Sequence, residues 1–443
     1  MLGEYRIEGR GAAEIAAGVE RAVGAGELVP GQPLPPMREL AARLGVNPNT
    51  VAAAYRILRE RGVIETAGRR GSRVRPKPAT TGREELRVEV PAGGRDLSTG
   101  NPDPALLPAL APALTAAAEQ GDRQPVRYGD DPVDPDLVRV ARAELDADGV
   151  PEGPVTVTSG SLDAIERVLA AHLKPGDAVA LEDPGWGSTL DLVPALGLRT
   201  VPVGVDDDGP LVDDLRRALE SGARALIVTG RAQNPTGAAV TATRARALRA
   251  VLRDHPQTLL IEDDHGHGIV DLPLHPLVGV TRHWAFVRSA AKAYGPDLRL
   301  AVLAGDCVTV DRVRGRQRLG PGWVSRLLQR AVVRLWTQGA VDRAVVARSY
   351  GARRDALVAA LAERGVAAHG RSGMNVWIPV PDETGAVARL LQSGWAVAPG
   401  ARFRLASAPG IRITVSELTA QDIGPLARAV AEAVRPSPAR VYG

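Results

Sequence analysis

The chain has 443 residues, of which 44% are apolar and 24% are charged. This length exceeds what one hydrophobic core normally serves, so we expect two or three domains, and the composition excludes a fibrous or largely disordered protein. The one cysteine, Cys307, excludes a framework of intrachain disulfides and favours a reducing compartment, the cytoplasm. Since the sequence lacks both a long uncharged apolar run and the pattern of a signal peptide, we expect no association with a membrane.

Positive charge is concentrated near the N-terminus. Residues 1–80 contain thirteen Lys and Arg against eight Asp and Glu, whereas the whole chain has a net charge of +4. A basic head on a nearly neutral body is typical of a module that binds a polyanion. Chance clustering of arginines on a solvated surface would produce the same difference, so charge alone leaves both interpretations open.

The first part of the chain predicts a helix-turn-helix. Apolar residues recur at helical spacing over residues 15–23, and a short second helix over residues 38–44 ends at Gly45. Asn47 can cap a third helix, and Pro48 suits its first turn. Two helices joined by a short turn that contains glycine form the helix-turn-helix pattern.

A β-hairpin and a linker follow these helices. Residues 63–76, VIETAGRRGSRVRP, predict a two-stranded wing with a glycine-rich tip. The next residues are rich in proline, threonine and glycine, as linkers often are. We therefore expect a DNA-binding domain over residues 1–76, a linker over 77–95 and a second domain over 96–443. The wing tip carries three arginines: Arg69, Arg70 and Arg73.

Beyond residue 95, apolar runs alternate with amphipathic helices, for example over Leu162–His172 and Thr241–Asp254. Continuous apolar runs separated by helices favour an α/β fold with a mostly parallel sheet that is covered on both faces. From about residue 325, long helices and the strands MNVWIPV and GIRITVS predict a smaller C-terminal α+β subdomain over 325–443. Six runs predict the strands of the large sheet: 155–159, 178–181, 225–229, 258–262, 284–288 and 300–304.

Polar or glycine-rich clusters follow five of these strands. In an open α/β sheet, ligands bind beyond the carboxyl ends of the strands, so clusters at five strand ends indicate one site. Alone, the first could be an ordinary helix cap and the tryptophan of the second could be a core residue. The clusters are SGS (159–161), EDPGW (182–186), NPTG (234–237), EDDH (262–265) and RSAAK (288–292).

The order and spacing of these motifs, over about residues 97–418, resemble the fold-type I pyridoxal-phosphate enzymes of the aspartate aminotransferase superfamily. The resemblance implies pyridoxal 5′-phosphate as the cofactor, with Lys292 forming a Schiff base to its aldehyde. Asp263 would pair with the pyridinium nitrogen, Asn234 would bind the ring hydroxyl and Trp186 would stack on the ring. A Schiff-base lysine must be neutral to attack, and cationic neighbours lower its pKa.

The same resemblance implies the remaining contacts of the cofactor and its ligand. Tyr128 would reach the phosphate from a partner subunit, which implies a homodimer with sites at the subunit interface. Arg412 would bind a carboxylate of a substrate or effector. Four residues would hold the phosphate within one chain: Gly160, Ser161, Ser289 and Arg299.

Two departures from the superfamily pattern favour sensing over efficient turnover. His265 occupies the position of the usual tyrosine, so a second hydrogen bond to the ring hydroxyl would come from an imidazole or be lost. Ala291 replaces a serine that often precedes the lysine. His265 and His267 lack the further clustered ligands that a metal site needs, so we expect no metal.

The N-terminal segment from Leu28 to Ile64 resembles the GntR family of winged-helix regulators. The resemblance implies that Arg38 contacts DNA and that the wing, through Gly71 and its flanking arginines, contacts the minor groove or the backbone. A GntR head on an aminotransferase-like body is the architecture of the MocR subfamily. The start of the recognition helix would enter the major groove with Asn47, Pro48, Asn49 and Thr50.

These features predict a pyridoxal-phosphate-dependent transcription regulator. Pyridoxal phosphate, or an amino-acid or amine effector that replaces Lys292 in the Schiff base, would control binding to a double-stranded DNA operator. The alternative is a catalytically active aminotransferase with an accessory DNA-binding head.

Overall fold

The computed structural model describes residues 7–24, 27–29, 31–60, 63–66, 71–74, 83, 90–91 and 93–435. The predicted DNA-binding residues Arg69 and Arg70, and most of the predicted linker, lie outside these ranges. The described chain divides into two compact units, so the domain boundaries expected from the sequence stay predictions. The first unit spans Met1–Thr81, Leu173–Ala178 and Asp191–Arg199, and the second spans Gly82–His172, Val179–Leu190 and Thr200–Gly443.

The N-terminal part folds as the predicted winged helix-turn-helix. Its helices bury the residues of their apolar stripes, among them Ile15, Leu40, Val51 and Leu58, in one core. The two strands pair antiparallel, with Glu65 opposite Arg73. The elements are α1 (Ala12–Gly24), α2 (Met37–Leu44), α3 (Pro48–Glu60), β1 (Ile64–Thr66) and β2 (Ser72–Val74).

Local chemistry produces the turn between α2 and α3. Gly45 adopts the left-handed conformation at φ 64°, which glycine reaches at little cost, and its N–H bonds to the last carbonyls of α2. The Oδ1 of Asn47 accepts a hydrogen bond from the N–H of Asn49 at 2.8 Å. Asn47 therefore caps α3 as its residue type predicts.

The remainder of the chain is built on an eight-stranded sheet, in the order β4-β11-β10-β9-β8-β5-β6-β7. Its strands are β4 (Val155–Thr158), β5 (Ala178–Asp183), β6 (Arg199–Asp206), β7 (Gly209–Pro210), β8 (Ala223–Thr229), β9 (Leu259–Asp264), β10 (His283–Ser289) and β11 (Ala301–Gly305). The helices up to β11 are α4 (Ala111–Arg123), α5 (Pro135–Ala147), α6 (Ser161–His172), α7 (Gly187–Ala195), α8 (Val212–Glu220), α9 (Ala242–Asp254) and α10 (Ala291–Tyr294).

Strand directions in this sheet are mixed. Strands β8, β9 and β10 are parallel, as the sequence pattern predicts. Strand β11 runs antiparallel to β10 and to β4. A parallel crossover needs a dozen or more residues, usually with a full helix, and only residues 290–300, which contain the one-turn helix α10, join β10 to β11. That short connection carries Lys292.

The C-terminal part forms a smaller antiparallel sheet in the order β12-β15-β14. The short strand β3 (Arg95–Asp96) pairs with β13 of this part. Its strands are β12 (Asn375–Pro379), β13 (Trp395–Ala396), β14 (Ala398–Pro399) and β15 (Gly410–Thr414). The helices after β11 are α11 (Cys307–Arg318), α12 (Arg326–Thr337), α13 (Arg343–Ala362), α14 (Glu383–Gln392) and α15 (Ala420–Ala433). Among the described residues, no helix is both long and apolar enough to cross a lipid bilayer.

Candidate functional site

A cavity of about 440 Å³ opens at the carboxyl ends of strands in the large sheet. The five motifs that follow separate strands in the sequence all contribute to its wall, because the carboxyl ends of neighbouring parallel strands lie at the same edge of a sheet. Ten of the residues predicted from the sequence line it: Gly160, Ser161, Trp186, Asn234, Asp263, His265, Ser289, Lys292, Arg299 and Arg412.

One end of the cavity is suited to an anion. Ser161 is the first residue of α6, where free backbone N–H groups and the helix dipole favour negative charge. The Oγ of Ser161 is buried and has no hydrogen-bond partner among the described residues. Gly160 has φ +97°, and a Cβ there would lie 3.1 Å from Nη2 of Arg299, so glycine allows that guanidinium to approach the helix start.

Lys292 enters the cavity from α10. Its Nζ donates a hydrogen bond to the carbonyl oxygen of Gly100, which lies in the loop that follows β3. A Cβ at Gly100 would lie 3.8 Å from this Nζ. The start of α10 is held by Ser289, whose Oγ accepts a hydrogen bond from the N–H of Ala291 at 3.1 Å.

Asp263 is buried beside His265. Its Oδ2 lies 3.1 Å from Nδ1 of His265, and Nε2 of His265 lies 2.8 Å from the carbonyl oxygen of Ala232. Burial lowers the pKa of His265, but its hydrogen bond to Asp263 and the charge of that carboxylate outweigh burial and raise the pKa. Because both partners are acceptors, a protonated imidazole donates to both. The Nδ1 of His265 therefore orients the carboxylate of Asp263.

The second oxygen of Asp263 remains available to a ligand. Oδ1 is buried without a hydrogen-bond partner among the described residues. Leaving a buried carboxylate oxygen unpaired is costly, so this atom calls for a donor that the chain does not supply.

Asn234 and Arg412 lie together at another part of the wall. Nη1 of Arg412 donates to Oδ1 of Asn234 at 3.0 Å, and Nη2 donates to the carbonyl oxygen of Ser98 at 2.7 Å. The guanidinium carbon lies 4.6 Å from the centre of the Phe403 ring. These contacts hold a nearly fully buried cation at the cavity wall.

The loop over residues 400–407 adds two lining residues that the sequence did not reveal, Arg402 and Phe403. Both are buried. Nothing in the motif PGARF distinguishes them from an ordinary turn. The loop is anchored by Asp183, whose carboxylate accepts hydrogen bonds from the backbone N–H groups of Leu405, Ala406 and Ser407 and from Oγ of Ser407.

A buried carboxyl group lies just behind Trp186. Glu182 accepts hydrogen bonds from the N–H of Thr229 at 3.1 Å and from Nε2 of Gln233 at 3.3 Å. Burial raises the pKa of Glu182 to about 7, although these hydrogen bonds act in the opposite direction. A buried carboxyl group with a raised pKa therefore lies next to the cavity.

Asp264, the residue after Asp263, belongs to a separate buried ion-pair network. Its carboxylate bonds to Arg231 at 2.8 Å and to Arg288 at 2.8 Å. Burial raises the pKa of Asp264, but the charges of Arg288 and Arg231 outweigh burial and hold it well below its usual range. Asp148, Asp264 and His267 have ligand atoms within 4.8 Å of one another. Two guanidiniums already neutralise those carboxylates, so a metal ion would compete with them.

Tyr128 does not line the cavity of its own chain. Its side chain is 93% exposed. Its ring lies 5.7 Å from that of Trp323 in an edge-to-face contact. A contact between Tyr128 and a phosphate therefore stays a prediction that needs a second copy of the chain.

The predicted DNA-contacting residues that the structure describes lie at the surface. Arg38 is exposed on α2, and Arg73 is exposed on β2, where its Nε bonds to Oε1 of Glu65 at 2.6 Å. Gly71, directly before β2, has φ 79°, a backbone conformation that glycine adopts at little cost. At the start of α3, Asn47, Pro48 and Asn49 are exposed and Thr50 is half-buried.

The cavity residues fit pyridoxal 5′-phosphate on three observations. The unpartnered Oδ1 of Asp263 suits the N–H of a pyridinium ring. The unpartnered Oγ of Ser161, at a helix start beside Arg299, suits a phosphate. Lys292 provides a primary amine in the same cavity.

Comparison with known proteins agrees with this geometry. Residues 94–430 match the family described as "Aminotransferase class I and II". Residues 12–74 match "Bacterial regulatory proteins, gntR family". The chain is 41% identical over 435 residues to the "Vitamin B6 salvage pathway transcriptional repressor PtsJ" of Salmonella typhimurium, covering 97% of this chain and 99% of the relative.

Two further similarities concern the regulator and the fold. The chain is 27% identical over 428 residues to the "HTH-type transcriptional regulator TauR" of Rhodobacter capsulatus, covering 85% of this chain and 86% of the relative. It is also similar to the kynurenine aminotransferase of Pyrococcus horikoshii, with a TM-score of 0.69 and 20% identity over 77% of this chain and 90% of that one. The chain therefore belongs to the aminotransferase class I and II family and, through its gntR-type DNA-binding domain, to the MocR subfamily of transcription regulators.

Proposed function

We propose that this regulator binds pyridoxal 5′-phosphate in the cavity, and that the cofactor, alone or joined to an amine, controls affinity for a DNA operator. One observation carries the proposal: Lys292, the unpaired Oδ1 of Asp263 and the unpaired Oγ of Ser161 line a single cavity in a chain that also carries a winged helix-turn-helix. When bound, pyridoxal phosphate supplies an aldehyde that combines reversibly with primary amines.

Each part of the cavity wall has a role in this proposal. Asp263, oriented by His265, would accept a hydrogen bond from the protonated ring nitrogen, and Trp186 would cover the ring face. Asn234 would bind the ring hydroxyl. Lys292 would supply the amine that holds the aldehyde, and an effector amine would compete with it for that group. The phosphate is held by Gly160, Ser161, Ser289 and Arg299.

Arg412 recognises the carboxylate group of the effector. Its guanidinium is oriented by hydrogen bonds to Asn234 and to the Ser98 carbonyl and by the ring of Phe403. A held guanidinium loses little conformational freedom when it binds a carboxylate, which favours recognition of amino acids over simple amines.

The effector acts on DNA binding only if it binds two states of the protein with different affinity. Coupling energies of this kind are about 1–3 kcal/mol, which corresponds to a change in DNA affinity of about 5- to 150-fold. By linkage, operator DNA changes the affinity for the effector by the same factor.

We further propose that the protein acts as a homodimer on two operator half-sites in the cytoplasm, where the chromosome lies. Tyr128 and Leu319 are more than nine-tenths exposed, and Leu114 of α4 and Leu327 of α12 are also exposed. Exposed large apolar side chains on neighbouring elements are typical of an interface. A homodimer would bring Tyr128 to a second copy of the chain.

The first experiment is the absorbance spectrum of the purified protein with pyridoxal phosphate, for the wild type and for Lys292→Ala. We expect a visible band in the wild type that the variant lacks. Lys174→Ala, which removes an exposed lysine far along the chain from the motif, is the matched control and should keep the band. A wild type without the band, or a variant that retains it, would contradict the role of Lys292.

The second experiment measures DNA affinity by fluorescence anisotropy on the upstream region of the protein's own gene, with and without pyridoxal phosphate. We expect the cofactor to change the affinity at least fivefold in the wild type and to leave Lys292→Ala nearly unchanged. Arg38→Ala should weaken binding with or without cofactor. Equal affinity under all conditions would refute cofactor control.

An active aminotransferase is the second candidate, favoured by the position of Lys292, Asp263 and Arg412 in one cavity. Steady-state turnover with a panel of amino acids and keto acids tests it. Sustained turnover, together with DNA binding that does not respond to the cofactor, would favour the enzyme over the ligand-controlled regulator.

A further inference from the structure

Helix α3 of the winged helix-turn-helix buries one face and leaves the opposite face to solvent. The buried face packs in the core of the N-terminal part through residues at helical spacing: Val51, Ala54, Tyr55 and Leu58. On the opposite side, Asn49 and Arg56 are exposed, and Ala52 and Ala53 between them are half-buried. These four residues form the outer face of α3, which is the face that a partner can contact.

Asn49 is the residue at the start of α3 that offers polar groups to a DNA base. Oδ1 of Asn47 accepts a hydrogen bond from the N–H of Asn49 at 2.8 Å, so the side chain of Asn47 caps the helix. Pro48 has no polar side-chain atom, and Thr50 is half-buried. The exposed side chain of Asn49 therefore presents both an amide donor and an amide acceptor at the first turn.

The outer face carries no charge before Arg56. Residues 47–55 contain no Asp, Glu, Lys or Arg. In the major groove, guanine is bound mainly by Arg or Lys and cytosine by Asp or Glu, whereas Asn binds adenine through two hydrogen bonds. Alanine presents a methyl group, which can contact the methyl group of thymine. The outer face therefore matches A·T base pairs and lacks the charged groups that bind G·C pairs.

The spacing along the helix fits a short run of base pairs. Arg56 lies seven residues after Asn49, which places it on the same side of the helix and about 10 Å further along the axis. Because the major groove is about 12 Å wide, a residue at that distance from a contacted base lies at the rim, near the phosphates. Ala53 lies only about 6 Å from Asn49 along the axis, within two steps of about 3.4 Å between base pairs. Its small side chain lets the helix backbone approach the base edges.

We infer that α3 recognises A·T base pairs of the operator: the amide of Asn49 binds an adenine, and the methyl group of Ala53 contacts a thymine of a neighbouring pair. Arg56 adds a phosphate contact, which strengthens binding to every sequence alike. This inference rests on the operator binding in the proposed function and adds the bases that the operator must contain.

The test begins with selection of binding sequences from a pool of random double-stranded DNA by the full-length protein, with and without pyridoxal phosphate. We expect each selected half-site to contain an A·T pair whose replacement weakens binding about 5- to 150-fold in an anisotropy titration, as one bidentate contact implies. Asn49→Ala should lose the discrimination at this pair and keep it at the others. Asn49→Gln, whose amide can also bind adenine, should retain part of it.

Two results would overturn the role of Asn49. One is a selected half-site in which every discriminated pair is G·C. The other is a loss of affinity in Asn49→Ala that is equal for all sequences, because a residue that only supports the fold or the backbone contacts has no preference among bases.

Replacing thymine by deoxyuridine tests Ala53, since it removes only the methyl group. We expect one such replacement beside the A·T pair to weaken binding of the wild type about three- to fivefold, and to have almost no effect on Ala53→Gly. Ala17→Gly, at a half-buried position of α1, carries the same cost of glycine in a helix and should respond like the wild type. A wild type that responds at no thymine of the half-site, or an equal loss of response in both variants, refutes the contact of Ala53.

Arg56→Ala separates affinity from base preference. It should weaken binding to all sequences alike, lower the slope of log affinity against log salt concentration by about one, and leave the base preference intact. A changed base preference would contradict the phosphate contact.

Failure of the inference and failure of the proposed function have different signatures. Selected sequences with nothing in common refute an operator, and with it both proposals. A common sequence that Asn49→Ala discriminates as well as the wild type does refutes the inference alone. A common sequence that depends on Asn49, with an affinity that does not respond to pyridoxal phosphate, supports the inference and refutes control by the cofactor.

Discussion

Asp183 holds the loop over residues 400–407, which forms part of the cavity wall. Asp183 is 3% exposed, and its carboxylate accepts hydrogen bonds from the N–H groups of Leu405 (2.9 Å), Ala406 (2.7 Å) and Ser407 (2.8 Å) and from Oγ of Ser407 (2.7 Å). All four donors belong to the loop that also carries Arg402. Asp183→Asn keeps the shape of the side chain and changes only its hydrogen-bonding capacity.

The size of the effect follows from counting donors and acceptors. The amide keeps one oxygen, which can accept about half of these bonds, whereas its NH₂ group faces donors and cannot accept. A hydrogen bond to a charged group contributes about 1.5–3 kcal/mol, so the loss of two such bonds should cost about 3–6 kcal/mol of stability.

Urea unfolding monitored by tryptophan fluorescence measures the change in stability. The control is Asp382→Asn, which removes charge from an exposed carboxylate that caps α14 by one hydrogen bond, to the N–H of Gly385 at 2.9 Å. We expect the control to cost no more than about 1 kcal/mol. If Asp183→Asn costs no more than the control, the loop does not depend on this anchor, and the account of how Arg402 is positioned is wrong.

Three further variants test other parts of the molecule. Glu65→Gln should raise affinity for duplex DNA about two- to fivefold at low salt, because it releases Arg73 from an exposed ion pair worth at most about 1 kcal/mol. An anisotropy titration measures this affinity, and an unchanged value would show that Arg73 does not contact DNA. Gly400→Ala should destabilise the protein by about 1–3 kcal/mol, because a Cβ there would lie 2.3 Å from the carbonyl oxygen of Gly410 and would overpack the turn. Gly315→Ala, in a helix with open space around it, should be neutral or slightly stabilising, and urea unfolding measures both changes. Because the pKa of His265 is raised on folding, its contribution to stability is complete below about pH 6.5 and is lost as pH rises through the higher folded value. The stability difference between wild type and His265→Gln, measured at several pH values, should therefore shrink above about pH 6.5, and a difference independent of pH would contradict the raised pKa.

Local patterns in the sequence predicted most elements and the position of the cavity. The six apolar runs form strands β4, β5, β8, β9, β10 and β11. The glycine and asparagine signals at residues 45 and 47 produce the turn of the helix-turn-helix. These features could be predicted because each depends on neighbouring residues: hydrophobic periodicity within one element, or a cap within one turn. The motifs at the strand ends converge because strand direction places them at one edge of the sheet.

Other features were decided only by tertiary structure, because they depend on residues that are distant in the chain. Strand β6 is largely half-buried or exposed and has no continuous apolar signal, so its pattern was not distinctive. The resemblance suggested that His265 could face the ring hydroxyl, whereas packing brings its ring nitrogens to Asp263 and to the Ala232 carbonyl. Arg402 reaches the cavity wall because Asp183, more than 200 positions earlier, holds the loop that follows it. Sequence periodicity reports which face of an element is buried, but the partner that meets that face is chosen by the packing of the whole chain.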